Sequence, residues 1–507
     1  MLWFLRKWFW IALGVFKAFA NKPLHIPLPT ATGPGVKPLE PVPLAQVVGG
    51  LPCEKVLAVL QEHIPADERA PARTKFYALQ VWLYRAFSPM QPGLPPIDAD
   101  PQQALKKAYT WLHRLRFPPP ELPAEFLGSP DLGALAVRGP YAAYTRKTAE
   151  GQFEWDVQML SGYEHHPGLR RLGARVLFEV DRRDRVLRAV RISSVLGETT
   201  PDDARWELAK KIALASMTTH LSLVRHFNWV HLAGSAMLAV ATRNQLPSEH
   251  PLLRLLWPHI YDTQQSNDAV TRGQMLPGGD FETVFSLSFE GQCRLFDDSW
   301  GDFDLLHNDP TEDARQRGVL GAGFDTPTEA NLAALFDTLL DHARSYLRIY
   351  WADDAALRAD AAIGRWLDEL NQRLPGGAGV TSESAGIDSV ARLVARFIYL
   401  VSAQHEILGS FLWNYQLWTH RQPVRLYANG QREPLDVYQR LVNANYNLNV
   451  RRRLLMHDFS YLALDTEGGA EMKRFERKLQ ALEERMERDP WAVWKLYPAM
   501  LKVNINA

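Results

Sequence analysis

Histidines are concentrated in one apolar stretch of this chain. Of the 15 histidines in 507 residues, five lie within forty positions, at His220, His226, His231, His250 and His259. The stretch has the pattern of a helix, a loop and a second helix. Neutral imidazole nitrogens are ligands for first-row transition metals. The stretch therefore has two interpretations, a metal site or a set of hydrogen-bonded core histidines.

The spacing of His226 and His231 decides whether the two could share one ion. Five residues on a regular α-helix turn two side chains about 140° apart, which would point the imidazoles to different sides. A π-bulge, with hydrogen bonds from residue i to i+5, would return them to nearly the same face, and such bulges are frequent at functional sites. His405 lies on a second apolar helix, so a helix pair could supply three imidazole ligands.

The elements that must position these histidines are predicted to be mainly α-helical. The apolar spacing is helical from about Glu54 to Phe117, for instance through Val56–Leu60, and again from Asp202 almost to the end. We predict helices through 206–214, 331–350, 388–418 and 471–488, with a Gly- and Ser-rich loop at 376–386. Alternation in 175–180 and 186–192, around a turn at 181–184, predicts a β-hairpin, the one strand signal we find. The predicted fold class is mainly α, with long central helices and a small antiparallel β region.

Residues 1–20 form a hydrophobic leader whose only charges are Arg6, Lys7 and Lys17. The leader is short for a membrane span. Arg6 and Lys17 would share one side of a helix, which favours a helix lying in a bilayer interface. A signal peptide with an Ala-x-Ala cleavage site and an ordinary buried helix are the alternatives. We therefore expect a protein that is membrane-associated or exported, or cytoplasmic if the leader is retained as an interfacial helix.

Composition limits the remaining organisation and the partners. Residues 21–50 are rich in proline and predict an extended arm over a body that runs from 51 to 507. With 57 basic and 57 acidic residues, no overall field attracts nucleic acid, and no nucleic-acid partner is predicted. The two cysteines, Cys53 and Cys293, cannot form a disulfide scaffold or a four-thiolate metal site.

Several short motifs, taken in order, resemble those of the lipoxygenase family over roughly residues 150–507. They are Trp206-x2-Ala209-Lys210, His226-x4-His231, Arg243, His250-Pro251, Leu255-Leu256-x-Pro258-His259, Asn267, Gly279-x2-Glu282, Ser402-Ala403-Gln404-His405, and the ending Leu496-Tyr497-Pro498-x6-Ile505-Asn506-Ala507. The resemblance implies a lipoxygenase-like catalytic domain over 51–507. The β-sandwich that precedes this domain in many eukaryotic members is not expected in residues 1–150.

The resemblance also implies a ligand set. His226, His231 and His405 would bind non-haem iron, or manganese as in some relatives, together with the main-chain carboxylate of Ala507. Four residues after the third histidine the family commonly places Asn, His or Ser, whereas this chain has Gly409. Water or an approaching Asn414 would then fill the position of the extra ligand.

Two further positions near the ligands bear on how they are oriented. A glutamine that the family places seven residues after the third ligand is Leu412 here, and a second one, expected near the first ligand, is Leu221. Their absence would alter the hydrogen bonds that orient ligand imidazoles. Glu406 follows the third histidine, and we expect it to pair locally on its helix, with a ligand role as the alternative.

The chemistry implied by the resemblance is dioxygenation of polyunsaturated fatty acids. A metal-bound hydroxide would take a hydrogen from a bis-allylic carbon, O2 would add to the radical, and a hydroperoxide would form without a side-chain acid or base. Partners would be the fatty acid or lipid, O2, and a membrane surface contacted through residues 1–20. Arg272 or Arg392 could hold a carboxylate head, and the channel residues would be Val270, Gly273, Met275, Phe411 and Trp413.

Two other functions stay open from the sequence. Gly409 and Leu412 also suit a related oxygenase or hydroperoxide-converting enzyme that acts on another unsaturated metabolite. A metal-free lipid-binding descendant is the third possibility, and metal content separates it from both enzymes.

Overall fold

The structure, a computed structural model, describes residues 25–47, 53–59, 128–448, 453–489 and 494–505, together with isolated residues elsewhere. The predicted leader, residues 1–20, and most of the predicted helical block up to Phe117 lie outside the described residues. Among the helices of the described part, none combines the length and the apolar character needed to cross a membrane.

The strands form two antiparallel sheets. A small sheet pairs β1 (Pro41–Pro43) with β2 (Leu57–Val59). The larger sheet has five strands in sequence order, namely β3 (Arg146–Lys147), β4 (Phe153–Asp156), β5 (Ala174–Asp181), β6 (Val186–Ser194) and β7 (Gly197–Thr199). Its centre is the predicted hairpin, in which Asp181 pairs with Val186 across the turn and a bulge follows Leu177. The small antiparallel β region is therefore confirmed, and it is larger than the one hairpin predicted.

Helices make up most of the described chain. The α-helices are α1 (Leu44–Val47), α2 (Leu132–Leu135), α3 (Trp206–His220), α4 (Met237–Gln245), α5 (Pro251–Ile260), α6 (Thr263–Val270), α7 (Asp280–Val284), α8 (Phe289–Trp300), α9 (Pro310–Gln316), α10 (Pro327–Tyr350), α11 (Asp354–Arg358), α12 (Ala361–Arg373), α13 (Ile387–Tyr399), α14 (Leu412–Gln416), α15 (Leu435–Leu448) and α16 (Thr466–Arg488). Short 3-10 turns lie at Pro140–Tyr144, Gln158–Gly162, Leu305–Asn308, Ser460–Leu462 and Pro498–Met500. The four helices predicted after Asp202 are all present. The ends of three are shifted by at most five residues, whereas the first continues well beyond the predicted 206–214.

Four segments of the described chain have π-helical hydrogen bonding, and three of them lie on the helices that carry His226, His231 and His405. They are π1 (Leu221–Ala236), π2 (Thr271–Met275), π3 (Leu400–Gln404) and π4 (Ile407–Phe411). With π1, helices α3 and α4 form one continuous helix over 206–245, which we call the first histidine helix. With π3 and π4, helices α13 and α14 form a second continuous helix over 387–416, the second histidine helix. The π geometry considered for His226 and His231 is thus confirmed and extends well beyond a single bulge.

The two histidine helices cross inside the hydrophobic core. In π1 every residue except Arg225 and Trp229 is buried, and π1 packs against both π3 and π4. The crossing is close at Gly234, where an added Cβ would lie 2.9 Å from the Trp229 carbonyl oxygen and 3.2 Å from Phe303 Cζ and would collide with Leu400 Cδ2. A glycine fits there because a side chain would displace Leu400 of the second histidine helix and press on the Trp229 carbonyl of its own helix.

The described part of the proline-rich arm, residues 25–47, lies against the body. Trp257 Nε1 donates to the Pro27 carbonyl at 2.6 Å, and Asn244 bonds both backbone groups of Leu39. The helical pattern predicted through Val56–Leu60 is wrong, because Leu57–Val59 is strand β2. Such a short apolar run with β-branched residues is compatible with a helix or a strand. Here it is a strand because it pairs with β1 of the arm.

We predict that Gly234→Ala lowers stability by about 1–3 kcal/mol, the usual cost of overpacking a filled core. The substitution should also separate His231 from His405 and so reduce metal retention. Thermal unfolding and metal content of the purified protein measure the two effects.

Gly364→Ala in α12 is the matched control, since its added Cβ would meet only Ser382 Cβ at 3.9 Å. That change should leave stability unaltered or slightly raised, because alanine favours a helix more than glycine does. Equal unfolding curves for the two variants would contradict the close approach at Gly234.

Candidate metal centre

Three imidazoles converge where the two histidine helices cross. The ring centroids of His226, His231 and His405 lie 4.9–5.1 Å apart in all three pairings. One ring nitrogen from each lies within 4.8 Å of the other two, and all three residues are buried. The structure therefore brings together the three histidines that were selected from the sequence.

The helix geometry explains why these positions meet. Within π1 a residue and its fifth successor return to one face, so His226 and His231 project to the same side. His405 stands between π3 and π4 and projects from the second histidine helix toward the first. Ser235 Oγ donates to the His231 carbonyl at 2.8 Å, which satisfies an acceptor inside the widened helix.

Burial keeps the three imidazoles neutral. Desolvation lowers the pKa of His231 to about 4, with a smaller contribution from the Lys502 ammonium. Desolvation also lowers the pKa of His226 and of His405 well below the ordinary histidine value, and the neighbouring imidazoles and Lys502 add to the effect. Neutral imidazole is the form that binds a metal, so the lone pairs are available at physiological pH.

Asn267 orients the second imidazole. Its Oδ1 accepts a hydrogen bond from His231 Nδ1 at 2.9 Å, and its Nδ2 donates to the His231 carbonyl at 2.8 Å. The proton is thereby held on Nδ1, which leaves Nε2 with its lone pair. Asn267 lies on α6, just after a tight corner at which Asp262 adopts a positive φ of 65°.

The remaining nitrogens fit a metal ion. Among the described residues, His226 Nε2 and His405 Nδ1 are buried side-chain nitrogens without a hydrogen-bond partner. An orphaned buried acceptor costs free energy unless something binds it, and a cation on neutral nitrogens would satisfy both. Three buried imidazoles suit iron, manganese or another first-row metal, and the residues present therefore fit the group that the sequence implied.

Gly409 and Asn414 occupy different surroundings. A Cβ built at Gly409 would lie 3.4 Å from His226 Cε1 and 3.6 Å from its Nε2, so this position borders the imidazole cluster. The Asn414 amide oxygen instead accepts a hydrogen bond from Asn445 Nδ2 at 2.6 Å. Gly409 thus leaves room beside His226 without offering a ligand atom, while Asn414 is bonded to α15.

The five predicted channel residues lie in α6, π2, π4 and α14, and the contacts described for Phe411 and Trp413 are packing contacts between rings. Val270 ends α6 and is half-buried, whereas Gly273 and Met275 are buried in π2. Phe411 packs against Trp494, with ring centroids 5.9 Å apart, and Trp413 packs edge-on against Phe285 at 6.0 Å. Their role in a substrate channel stays a prediction.

Trp413 belongs to a row of aromatic rings that leads to the cluster. From Trp413 the row continues through Phe285, Phe281 and Phe227, and Phe227 stacks on His231 with centroids 5.9 Å apart. We call these four residues the aromatic row. Sequence reasoning missed the three phenylalanines of this row. Phe227 could have been found, because it lies between two candidate ligands. Phe281 and Phe285 follow a loop, and no spacing signal marks them.

The two arginines considered for a carboxylate head are already paired. Arg272 Nε lies 2.9 Å from Asp268 Oδ1, and Arg392 lies against the buried Asp309. The expectation that Glu406 pairs locally on its helix is wrong, because its partner is Lys502, whose Nζ lies 3.4 Å from Glu406 Oε2.

The carboxyl-terminal segment is packed against the site as far as it is described. Asn504 is buried and its Nδ2 donates to the carbonyls of Pro258 at 2.8 Å and Tyr261 at 3.0 Å. His259 Nδ1 donates to the Val503 carbonyl at 2.9 Å. Ala507, the predicted carboxylate ligand, lies outside the described residues, so its role stays a prediction.

Comparison with known proteins agrees with the motif order. A family model described as Lipoxygenase matches residues 188–443, about half of the chain. A manganese lipoxygenase of Pleurotus sapidus is 27% identical over 241 residues, which cover 45% of this chain and 36% of that protein. A polyunsaturated fatty acid lipoxygenase of Oryctolagus cuniculus is 26% identical over 213 residues, which cover 41% of this chain and 32% of the relative. The match thus spans about a third of the length of these curated relatives.

The fold has solved counterparts as well. A solved structure of the manganese lipoxygenase of Gaeumannomyces graminis superposes with a TM-score of 0.74, covering 92% of this chain and 96% of that one at 14% identity. At this identity the likeness concerns the fold alone, and it confirms the predicted fold class.

We predict that Asn267→Ala weakens metal binding by about 10- to 100-fold, the usual effect of removing the hydrogen-bond partner of a ligand imidazole. The freed Nδ1 would let the His231 ring rotate and change tautomer. Metal dissociation in a chelator competition measures the effect.

Asn371→Ala is the matched control, because Asn371 likewise donates from its Nδ2 to backbone carbonyls, those of Leu367 and Val380, which are not part of the histidine cluster. If both asparagine variants retained metal as the wild type does, the orienting role of Asn267 would be refuted.

A second prediction concerns acid stability. Burial lowers the pKa of His259 to about 4 from the ordinary 6.5. Between these values the unfolded chain binds a proton that the folded chain does not, so stability falls as the pH decreases. The wild type should lose about 2 kcal/mol more than His259→Gln between roughly pH 7.5 and pH 5.

Urea unfolding of both proteins at the two pH values gives this difference, and the other histidines cancel because both proteins carry them. A stability difference between wild type and variant that does not change with pH would show that His259 does not stay neutral in the folded protein.

Proposed function

This chain belongs to the lipoxygenase family, and from that membership we propose that it is a metal-dependent dioxygenase of polyunsaturated fatty acids. Family membership supports an oxygen-incorporating oxidoreductase. The observation that carries the proposal is the meeting of His226, His231 and His405 in one buried cluster. The product would be a fatty-acid hydroperoxide.

The metal would be held by His226, His231 and His405, with iron as the first expectation and manganese as the other. Both lipoxygenases reported above as manganese enzymes support manganese as a real alternative. When bound, such a metal supplies the one-electron chemistry that removes a bis-allylic hydrogen and commits the lipid radical to O2. Asn267 keeps the His231 lone pair directed at the metal, and Gly409 keeps the space beside His226 free of side-chain atoms.

The surroundings of the cluster support an apolar substrate. The aromatic row supplies a wall of buried rings from Trp413 to His231, against which an acyl chain could lie. This wall also excludes water from the imidazoles, which protects a radical from side reactions. The chain needs no side-chain acid or base near the cluster for this chemistry, and the buried Glu406 is already paired with Lys502.

A membrane surface would be the second partner in this proposal, reached through residues 1–20. These residues lie outside the described part of the chain, so the support is their sequence alone. A lipid substrate makes the association useful, because it shortens the path of an acyl chain from the bilayer to the protein.

The test uses the full chain purified and reconstituted with Fe(II) or Mn(II). Incubation with linoleate or arachidonate should consume O2 and produce conjugated-diene absorbance. His405→Ala should reduce both metal content and O2 uptake by at least about 100-fold, because a lost ligand costs more than a lost orienting residue.

His342→Gln is the control, a buried histidine that pairs with Glu471 and lies outside the cluster. It should retain metal and activity. Full metal occupancy without diene formation from any polyunsaturated lipid would instead support the related oxygenase or hydroperoxide-converting enzyme. Absence of bound metal after reconstitution would leave the metal-free lipid-binding descendant.

A further inference from the structure

A buried ion pair lies beside the histidine cluster. Lys502 Nζ and Glu406 Oε2 are 3.4 Å apart, and only 4% and 2% of the two side chains are exposed. Glu406 follows His405 on the second histidine helix, and Lys502 belongs to the carboxyl-terminal segment. The pair thus joins two parts of the chain that are 96 positions apart in sequence.

Lys502 also binds the end of α15. Its ammonium donates to the carbonyl of Leu448, the last residue of α15, and Ser410 Oγ donates to the same carbonyl at 2.8 Å. A cation at the carboxyl end of a helix satisfies a free carbonyl and is favoured by the helix dipole. Leu448 Cδ2 in turn lies 3.7 Å from the position of a Cβ on Gly409, which borders His226. Lys502 therefore binds a residue, Leu448, that packs beside the imidazole cluster.

Stability alone gives little reason for such a pair. The cost of removing two charges from water is often as large as their attraction, so apolar replacements are commonly neutral or stabilising. Next to a metal site the ammonium has a second cost, because it repels a cation through a medium of low dielectric constant. The field of Lys502 reaches all three imidazoles, since it contributes to the lowered pKa of each.

We propose that Glu406 and Lys502 form a charge-compensated latch: Lys502 fixes the carboxyl-terminal segment to the second histidine helix, and Glu406 cancels the positive charge that would otherwise weaken metal binding. This inference rests on the proposed function, because charge compensation requires a metal ion in the histidine cluster. Both residues are positioning residues, because they act through the imidazoles and the terminal segment and not on a substrate.

Net charge predicts the order of metal affinities among the variants. Glu406→Gln removes one negative charge beside the Lys502 ammonium and should raise the Mn(II) dissociation constant about tenfold. Glu406→Gln combined with Lys502→Met removes both charges and should return the constant to within about threefold of the wild type. If the pair had only a structural role, the double variant would bind Mn(II) no more tightly than Glu406→Gln.

The measurement is Mn(II) affinity by chelator competition, with the electron paramagnetic resonance signal of bound Mn(II) as the spectroscopic readout. Glu154→Gln is the matched control, since Glu154 is a buried carboxylate held by Arg146 and Arg175 in the larger sheet. It should leave Mn(II) affinity unchanged. Circular dichroism confirms that each variant is folded.

Hydrogen exchange reports the latch itself. The Val503 amide donates to the Arg453 carbonyl at 3.1 Å, and the Leu455 amide donates to Leu501 at 2.9 Å. Lys502→Met and the double variant should speed exchange at both amides, whereas Glu406→Gln should do so less because Lys502 still binds Leu448. Unchanged exchange in Lys502→Met would overturn the latch.

The outcomes separate the two proposals. If the wild type binds Mn(II) but Glu406→Gln binds it equally well, or the double variant stays as weak as Glu406→Gln, charge compensation is wrong while the proposed function stands. If the wild type binds neither Mn(II) nor Fe(II), the proposed function falls first. Should Glu406→Gln fail to fold, Lys502→Met must bind Mn(II) more tightly than the double variant, and equal affinities would overturn the compensation.

Discussion

The site depends on one constraint, the close contact of two apolar helices along the faces that carry the histidines. The contact needs a glycine at 234, because Leu400 and Phe303 occupy the space of any side chain there. It also needs π geometry in π1, because regular α-helical winding would turn His226 away from His231. If either condition failed, the third imidazole could not meet the other two.

The burial that this contact produces sets the chemistry of the site. Removing three imidazoles from water disfavours their protonated forms, so the cluster stays uncharged and ready to bind a cation. The same burial makes an unpaired nitrogen costly, which explains why Asn267 satisfies the second nitrogen of His231. Because the imidazoles are uncharged and buried, a nearby charge changes the affinity of the cluster for a cation. The Glu406–Lys502 pair therefore affects cation binding more than a buried pair far from the cluster would.

The sequence predicted the elements whose signals are local, and it failed where a long-range contact decides. The hairpin around 181–184 and the helix ending at Tyr350 follow from alternation and helical spacing in adjacent residues. The prediction for strand β2 is wrong because three apolar residues are compatible with a helix or a strand, and only pairing with β1 of the arm makes them a strand. For the site, the ordered motifs identified His226, His231 and His405, but the partner of Glu406 is 96 positions away and no spacing rule relates it to Lys502.

The same long-range contacts tie the carboxyl-terminal segment to several parts of the chain at once. The Asn504 amide bonds the turn after α5, and Lys502 bonds α15 and the second histidine helix, so the terminal segment closes three separate parts of the chain. Helix α5 and the turn after it share three hydrogen bonds with the segment, α15 accepts one, and the second histidine helix contributes the ion pair. The buried charges on Glu406 and Lys502 become tolerable only in that closed state, where each is the partner of the other.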